Sequence, residues 1–109
     1  MAGNRQLETG ITNKILKYLN SLEGCKARKR FAGPGKKGEP DITGAYRGLR
    51  LEIEVKAGDN QPSKIQIARL KAWKDCGCLS MCVWSLEEVQ VAMIKLSDEF
   101  WWNSQKKAA

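Results

Sequence analysis

Three residues near the middle of the chain have the chemistry of a metal-assisted hydrolytic site. Asp41 follows the segment Gly38-Glu39-Pro40, and Glu54 and Lys56 stand two positions apart further along the chain. Two carboxylates offer the oxygen ligands that a hard cation such as Mg²⁺ prefers. Such a cation polarises a phosphoryl oxygen and lowers the pKa of a bound water, and a lysine stabilises developing negative charge. The pattern predicts phosphodiester hydrolysis, provided that the side chains converge.

Convergence depends on two predicted strands joined by a tight turn. Residues 41–46 and 49–55 are apolar-rich segments on either side of Arg47-Gly48, which predicts a β-hairpin. In that hairpin, residues whose numbers sum to about 95 face each other. Asp41 then lies opposite Glu54, and both carboxylates share one small patch.

The second strand of this hairpin alternates between apolar and charged side chains. Its polar face carries Glu52, Glu54 and Lys56, because side chains two positions apart leave the same face. An ordinary solvated strand face is the alternative interpretation. The hairpin register, which adds Asp41, and the glycine- and lysine-rich segment before Asp41 favour a site. Only Glu54 of the two glutamates has the Glu-x-Lys spacing.

Further elements must surround the hairpin. Hydrophobic periodicity predicts a helix over 7–22, a strand over 25–31, a helix from Ser63 to about 76, a strand over 79–84 and a helix over 86–96. Ser63 is a helix N-cap candidate, and Ser85 with Glu88 has the spacing of a capping box. The order α-β-β-β-α-β-α predicts an α/β fold with a mixed sheet of about four strands. The two strands that flank the middle helix should be parallel.

The length of 109 residues predicts one domain over 1–109, with a core from about 7 to 96 and a C-terminal tail over 97–109. The 42% of hydrophobic residues is enough for a core and argues against disorder. We expect an intracellular protein with no membrane span, because no long apolar run or signal sequence is visible. Trp101 and Trp102 in the tail suit base stacking or, more often, an interface.

The chain has four cysteines and no histidine. A histidine-based triad and a histidine-ligated metal are therefore excluded. The cysteines do not have Cys-x-x-Cys spacing, so free and mostly buried thiols are expected. A cysteine-based zinc or redox module is an alternative. The four are Cys25, Cys76, Cys78 and Cys82.

The net charge is +7, from 19 Lys and Arg against 12 Asp and Glu. A basic domain binds polyanions, because each phosphate that it neutralises releases condensed counterions. Phosphate contacts of this kind position DNA without reading its sequence, although a solvated charged face is an alternative. The cations expected to make them are Lys26, Arg28 and Arg30 in the predicted strand 25–31, and Lys36 and Lys37 in the glycine-rich loop.

Gly38-Glu39-Pro40-Asp41 and Ile53-Glu54-Val55-Lys56 together resemble the PD-(D/E)XK nuclease signature. The resemblance is strongest to the virus-type replication-repair nuclease (VRR-NUC) family. That family has an acidic residue in its first helix, a basic strand, G-x-P-D, a hairpin, E-V-K and a helix with a glutamine. The matching order extends from Glu8 to about Val89, with Gln66 as the helical glutamine.

The resemblance implies a restriction-endonuclease-like fold and a Mg²⁺ or Mn²⁺ site. Its implied ligands are Asp41, Glu54, the Val55 carbonyl and Glu8. Lys56 would be the catalytic lysine, and Gln66 would support catalysis beside the site.

The resemblance also implies a homodimer acting on branched DNA such as four-way (Holliday) junctions, since minimal members resemble dimeric resolvases. A flap or fork nuclease is an alternative. A non-catalytic nucleic-acid-binding domain is another, against which the intact Asp41, Glu54 and Lys56 argue.

Overall fold

Seven elements follow one another in the computed structural model, which describes residues 2–31, 35 and 37–108. They are α1 (Ala2–Ser21), β1 (Cys25–Lys29), β2 (Ile42–Tyr46), β3 (Leu49–Val55), α2 (Lys64–Asp75), β4 (Leu79–Val83) and α3 (Leu86–Ala108). Their order and the mixed sheet confirm the predicted α/β class.

The four strands form one sheet in the order β1-β2-β3-β4. β1 and β3 are both antiparallel to β2, and β4 is parallel to β3, as predicted. The hairpin register is also confirmed, because Ile42 pairs with Ile53 and Tyr46 with Leu49. Arg47 and Gly48 have φ angles of 48° and 87°, and a two-residue turn with positive φ at both positions matches the twist of the strands it joins.

The apolar face of the sheet packs against α1 and α3. Ile15 and Leu19 of α1 and Val89 and Met93 of α3 are buried against apolar strand residues. The two residues of each helix are four positions apart, which keeps them on one helix face. The buried strand residues in this cluster are Ala27, Ile42, Tyr46, Leu51, Ile53, Val55 and Val83.

α2 packs against β3 and β4 and contributes no residue to this core. Its N-cap is Ser63, whose side chain accepts a hydrogen bond from the Gln66 backbone while the Gln66 side chain accepts one from the Ser63 backbone. This capping box confirms the predicted start. Three apolar residues recur at helical spacing in α2: Ile67 is exposed, and Leu70 and Trp73 are half-buried. The helix lies over polar strand residues, so it needs less apolar surface.

Several predicted boundaries shift. α1 begins at Ala2 rather than residue 7, and β1 ends two residues early, leaving Phe31 exposed. α3 continues to Ala108, through the segment predicted to be a tail. Its continuation is supported by Phe100, whose ring packs edge-on against Tyr46 with centroids 5.7 Å apart.

The four cysteines are free, as predicted, but they are not mostly buried. Cys76 is exposed and the other three are half-buried. Separately, none of the helices in the described ranges is both long enough and apolar enough to cross a membrane.

Candidate active site

Asp41 and Glu54 are brought together by the β2–β3 hairpin. Asp41 lies just before β2, and its Oδ2 accepts a hydrogen bond from the backbone N–H of Val55 at 2.9 Å. Glu54 is the neighbouring residue in β3 and is only 2% exposed. The Asp41 carboxylate is therefore fixed at the end of β3, beside a buried carboxyl group.

The two carboxylate oxygens of Glu54 have different surroundings. Oε2 lies 3.4 Å from the Gln66 amide nitrogen and 3.7 Å from the Lys56 ammonium. Oε1 is buried and has no hydrogen-bond partner among the described residues. A buried oxygen without a partner is rare in native proteins, and where one occurs an ion, a water or a chemical role usually accounts for it.

The pKa of Glu54 is raised from its ordinary value to about 8. Burial is the main cause, because it disfavours the charged carboxylate. The negative charge of Asp41, a hydrogen bond that the protonated Glu54 side chain makes with Asp41, and the charge of Glu8 act in the same direction. The Lys56 ammonium lowers the pKa of Glu54 without offsetting these effects. Glu54 therefore keeps a proton at neutral pH unless additional positive charge is present.

Glu52 lies on the same strand face, and both oxygens of its carboxylate accept hydrogen bonds from other side chains. Its carboxylate accepts hydrogen bonds from the Thr43 hydroxyl at 2.6 Å and from Arg50 Nε at 2.9 Å, and it also pairs with Arg30. Both glutamates are buried, which contradicts the alternative of a solvated strand face. Glu52 has a structural role in this arrangement, and Glu54 is the glutamate with unused ligand capacity.

Glu8 reaches the same region from α1. Its carboxylate accepts a hydrogen bond from the Asn60 amide at 2.9 Å, and the Asn60 carbonyl accepts one from the Trp84 indole. Glu8 and Asp41 both line a cavity of about 170 Å³. Asn60 and Trp84 are site residues that the sequence analysis missed. The sequence signal for Asn60 is its position in the turn that follows Glu-x-Lys, which indicates nearness to Glu54 but does not identify Glu8 as its partner.

Gly38 explains why the G-x-P-D segment needs a glycine. Its φ angle is +79°, and a Cβ atom there would lie 2.8 Å from Cγ1 of Ile65. The missing side chain lets the first turn of α2 approach the segment before Asp41. Because Gln66 follows Ile65, this close approach also positions the Gln66 amide at Glu54.

The donor set fits a hard divalent cation. The unpaired Glu54 oxygen lies beside a second carboxylate, and carboxylate oxygens are what Mg²⁺ and Mn²⁺ prefer. Within the described ranges, no three Cys, Asp or Glu side chains form a metal-binding group. Glu8, Asp41 and Glu54 are thus not a ready-made three-carboxylate cage, and a cysteine zinc site is not supported. Mg²⁺ usually has only one or two carboxylate ligands and several waters.

The predicted DNA-binding cations have different environments. Lys26, Arg28 and Lys37 are exposed, and Lys36 lies outside the described residues. Arg30 is only 15% exposed, since its guanidinium pairs with Glu52 and its Nε donates to the Pro40 carbonyl. The structure thus separates Arg30, which is engaged inside the protein, from the other predicted phosphate contacts.

Comparison with known proteins identifies the fold. No family model matches the chain, and no curated protein matches it. A solved structure described as "VRR_NUC domain" has the same fold, with a TM-score of 0.68 and 22% sequence identity. The similarity covers 80% of this chain and 94% of that one. The fold expected from the VRR-NUC resemblance is therefore confirmed.

Proposed function

We propose that this protein is a metal-dependent endonuclease that hydrolyses phosphodiester bonds in branched DNA. One observation carries the proposal: a buried carboxylate oxygen of Glu54 accepts no hydrogen bond from any described residue, and the Glu54 side chain lies beside Asp41 and Lys56. The similar solved structure is named after a nuclease family, which supports the same activity.

Each residue of the site has a specific role in this proposal. Asp41, Glu54 and the Val55 carbonyl would hold Mg²⁺ or Mn²⁺, with Glu8 adding negative charge from α1. When bound, the ion supplies Lewis acidity and a water of lowered pKa. Lys56 provides a cation for the negative charge that develops on the phosphate.

Gln66 is a positioning residue in the same proposal. Its amide nitrogen lies 3.4 Å from the Glu54 carboxylate, while its amide oxygen accepts a hydrogen bond at the start of α2. The side chain therefore ties Glu54 to the helix terminus and limits the rotation of the carboxylate.

DNA is the expected polyanion. The net charge of +7 favours phosphate binding, and Lys26, Arg28 and Lys37 are exposed for it, with Lys36 as a further contact. Branched substrates such as four-way (Holliday) junctions require two cuts. We propose that a homodimer supplies the two active sites, because two-fold dimers are the commonest homo-oligomers.

α3 offers the surface for this dimer. Val91, Ile94 and Trp101 are large, exposed and spaced by three and seven residues, so they share one helix face. Trp102 is exposed beside them. Light scattering should show a dimer at micromolar concentration, and the double variant Ile94→Glu and Trp101→Glu should shift it to monomer. A wild-type monomer that still cuts junctions in paired fashion would end the dimer proposal.

Activity is tested with end-labelled duplex, flap, fork and four-way junction DNA of matched sequence. Cleavage should occur with Mg²⁺ or Mn²⁺, stop in EDTA, and be lost in Asp41→Asn and Lys56→Ala. Glu23→Gln and Lys17→Ala alter exposed groups of the same types and should cut normally. Binding of these DNAs without cleavage in either metal would instead favour a non-catalytic nucleic-acid-binding domain.

A further inference from the structure

The sheet face that carries Glu54 is only partly covered. α2 packs over β3 and β4, whereas an open cavity of about 410 Å³ lies over β1 and β2. We call this cavity the β1–β2 groove. Its lining includes Lys26, Arg28, Thr43, Gly44, Ala45 and Arg50. Such a volume lies within the range of ligand-binding clefts.

Every charged side chain that lines the β1–β2 groove is a cation: Lys26, Arg28 and Arg50. Lys26 and Arg28 are exposed and form no ion pair with any described residue. They lie two residues apart on β1, so their side chains leave one face about 7 Å apart. The groove therefore combines uncompensated positive charge with small residues at its base, which suits a phosphate-bearing ligand.

Arg50 adds a planar surface to this charge. Its guanidinium carbon lies 4.1 Å from the ring centroid of Trp73, and its Nε donates a hydrogen bond to Glu52. Trp73 is itself fixed by a hydrogen bond from its indole N–H to Glu39 at 2.9 Å. Even so, the Arg50 side chain is 48% exposed. A guanidinium plane that is held in place and still accessible is a stacking surface for a nucleobase.

We propose that the β1–β2 groove binds an unpaired nucleotide of the DNA, with its base on Arg50 and its phosphates at Lys26 and Arg28. A base inside a duplex has no free face to offer, so this contact requires an unpaired strand. Arg50 and Glu54 lie on the same face of β3, about 14 Å apart along the strand. The proposal rests on the proposed nuclease function, since it makes the unpaired strand part of the substrate that reaches Glu54.

The direct test measures binding by fluorescence anisotropy in EDTA, so that no cleavage occurs. The probes are a short single-stranded oligothymidylate, the same oligomer with single abasic positions, and a fully paired duplex of equal length. Arg50→Lys keeps the charge and removes the plane. It should weaken single-strand binding about fivefold or more, because stacking of one base contributes at least that much, and change duplex binding less than twofold.

The abasic probes separate stacking from charge. In the wild type, one abasic position should weaken binding about fivefold. In Arg50→Lys the same abasic position should have little effect, because the guanidinium plane on which the base stacks is absent. Arg28→Ala should instead lower the slope of log affinity against log salt by about 0.7 on the single strand, whatever its bases. Lys17→Ala is the charge-matched control, and melting temperatures of all variants verify folding.

Equal losses on single strand and duplex for Arg50→Lys, or an abasic effect that persists in that variant, would overturn the proposal. Failure of the nuclease function is recognised separately. Glu54→Gln should bind the single strand in EDTA as the wild type does, because Glu54 does not line the groove. If the wild type shows base-dependent binding but cuts none of the DNAs with Mg²⁺ or Mn²⁺, the nuclease is refuted and the groove remains. If the wild type cuts branched DNA but its binding does not depend on the bases, the groove proposal is refuted and the nuclease function is kept.

Discussion

Glu52 and Glu54 stand two residues apart on the same face of β3, and both are buried, yet their environments are opposite. Glu52 has two arginines and a threonine hydroxyl as partners, which supply hydrogen bonds to both of its oxygens. Glu54 has a distant amide and an ammonium on one oxygen and no described partner on the other. Burial alone therefore does not distinguish a structural carboxylate from a functional one.

The difference lies in how each negative charge is compensated. The guanidinium groups at Glu52 are permanent and come from the protein itself, so this charge is balanced in the folded state. At Glu54 the raised pKa shows that the protein provides too little positive charge for the ionised form. A divalent cation would supply what is missing. We therefore expect substitution of Glu54 to reduce mainly the cleavage rate, and substitution of Glu52 to reduce mainly the stability of the fold.

The largest expected effect is the loss of cleavage in Glu54→Gln. The amide keeps the size of the side chain and removes the charge needed for the ion, so the rate should fall at least about 100-fold. Single-turnover cleavage with Mn²⁺ measures it, with Glu23→Gln as the control. Cleavage at the wild-type rate would remove Glu54 from the site.

Glu52→Gln should mainly reduce stability. Arg30 and Arg50 would lose their buried counter-charge, and breaking such a pair from one side costs about 3 kcal/mol. Urea unfolding monitored by circular dichroism gives the free energy of unfolding. The folded fraction should still cut DNA. If Glu52→Gln abolished cleavage and Glu54→Gln did not, the roles assigned to the two glutamates would have to be exchanged.

Gln66→Ala tests the contact that positions Glu54. Removing the amide frees the carboxylate, and loss of a residue that orients a ligand typically reduces activity or metal affinity about tenfold. Cleavage should recover partly at higher Mn²⁺, which a purely structural defect would not allow. The matched control is Ile67→Ala, an exposed position on the same helix, which should titrate with Mn²⁺ like the wild type.

The smallest expected effect is on the stability of the metal-free protein. Between pH 4.5 and about 8 the folded protein holds a proton on Glu54 that the unfolded chain has released. The folded state binds more protons in this window, so this contribution to stability is full below pH 4.5 and is lost as the pH rises through 8. Glu54→Gln has no titrating group at this position, so its stability lacks this dependence on pH.

The melting temperatures of both proteins are therefore compared in EDTA at pH 5 and at pH 8.5. The melting temperature of Glu54→Gln minus that of the wild type should be larger at pH 8.5. A change of 1 kcal/mol in stability corresponds to about 4–8 °C. Adding Mn²⁺ at pH 8.5 should raise the melting temperature of the wild type but not that of Glu54→Gln. A difference between the two proteins that does not change with pH would contradict the raised pKa.

The hairpin and its register were predictable from the sequence because they depend on local signals. Arg47-Gly48 between two apolar segments determines the turn, and the turn determines which residues pair. This was enough to place Asp41 beside Glu54. The start of α2 was predictable for the same reason, since a capping box at Ser63 involves only residues three apart.

The long-range contacts of the buried and site carboxylates were not predictable from the sequence. Arg30 pairs with Glu52 across 22 positions, and Asn60 reaches Glu8 across 52. No periodic pattern encodes such pairs, because they arise only when α1, α2 and the sheet are packed. The alternating charges of β3 are equally compatible with a solvated face, and the cover provided by α2 is what makes that face buried.

The hydrogen bond from the Val55 backbone to Asp41 has a consequence for how the site changes over evolutionary time. The donor belongs to the main chain, so it is present whichever side chain occupies position 55. Only proline, which lacks the N–H, would delete it. Exchange of Val55 for another apolar residue that fits the core therefore leaves Asp41 anchored, and the position of that carboxylate is inherited with the strand itself.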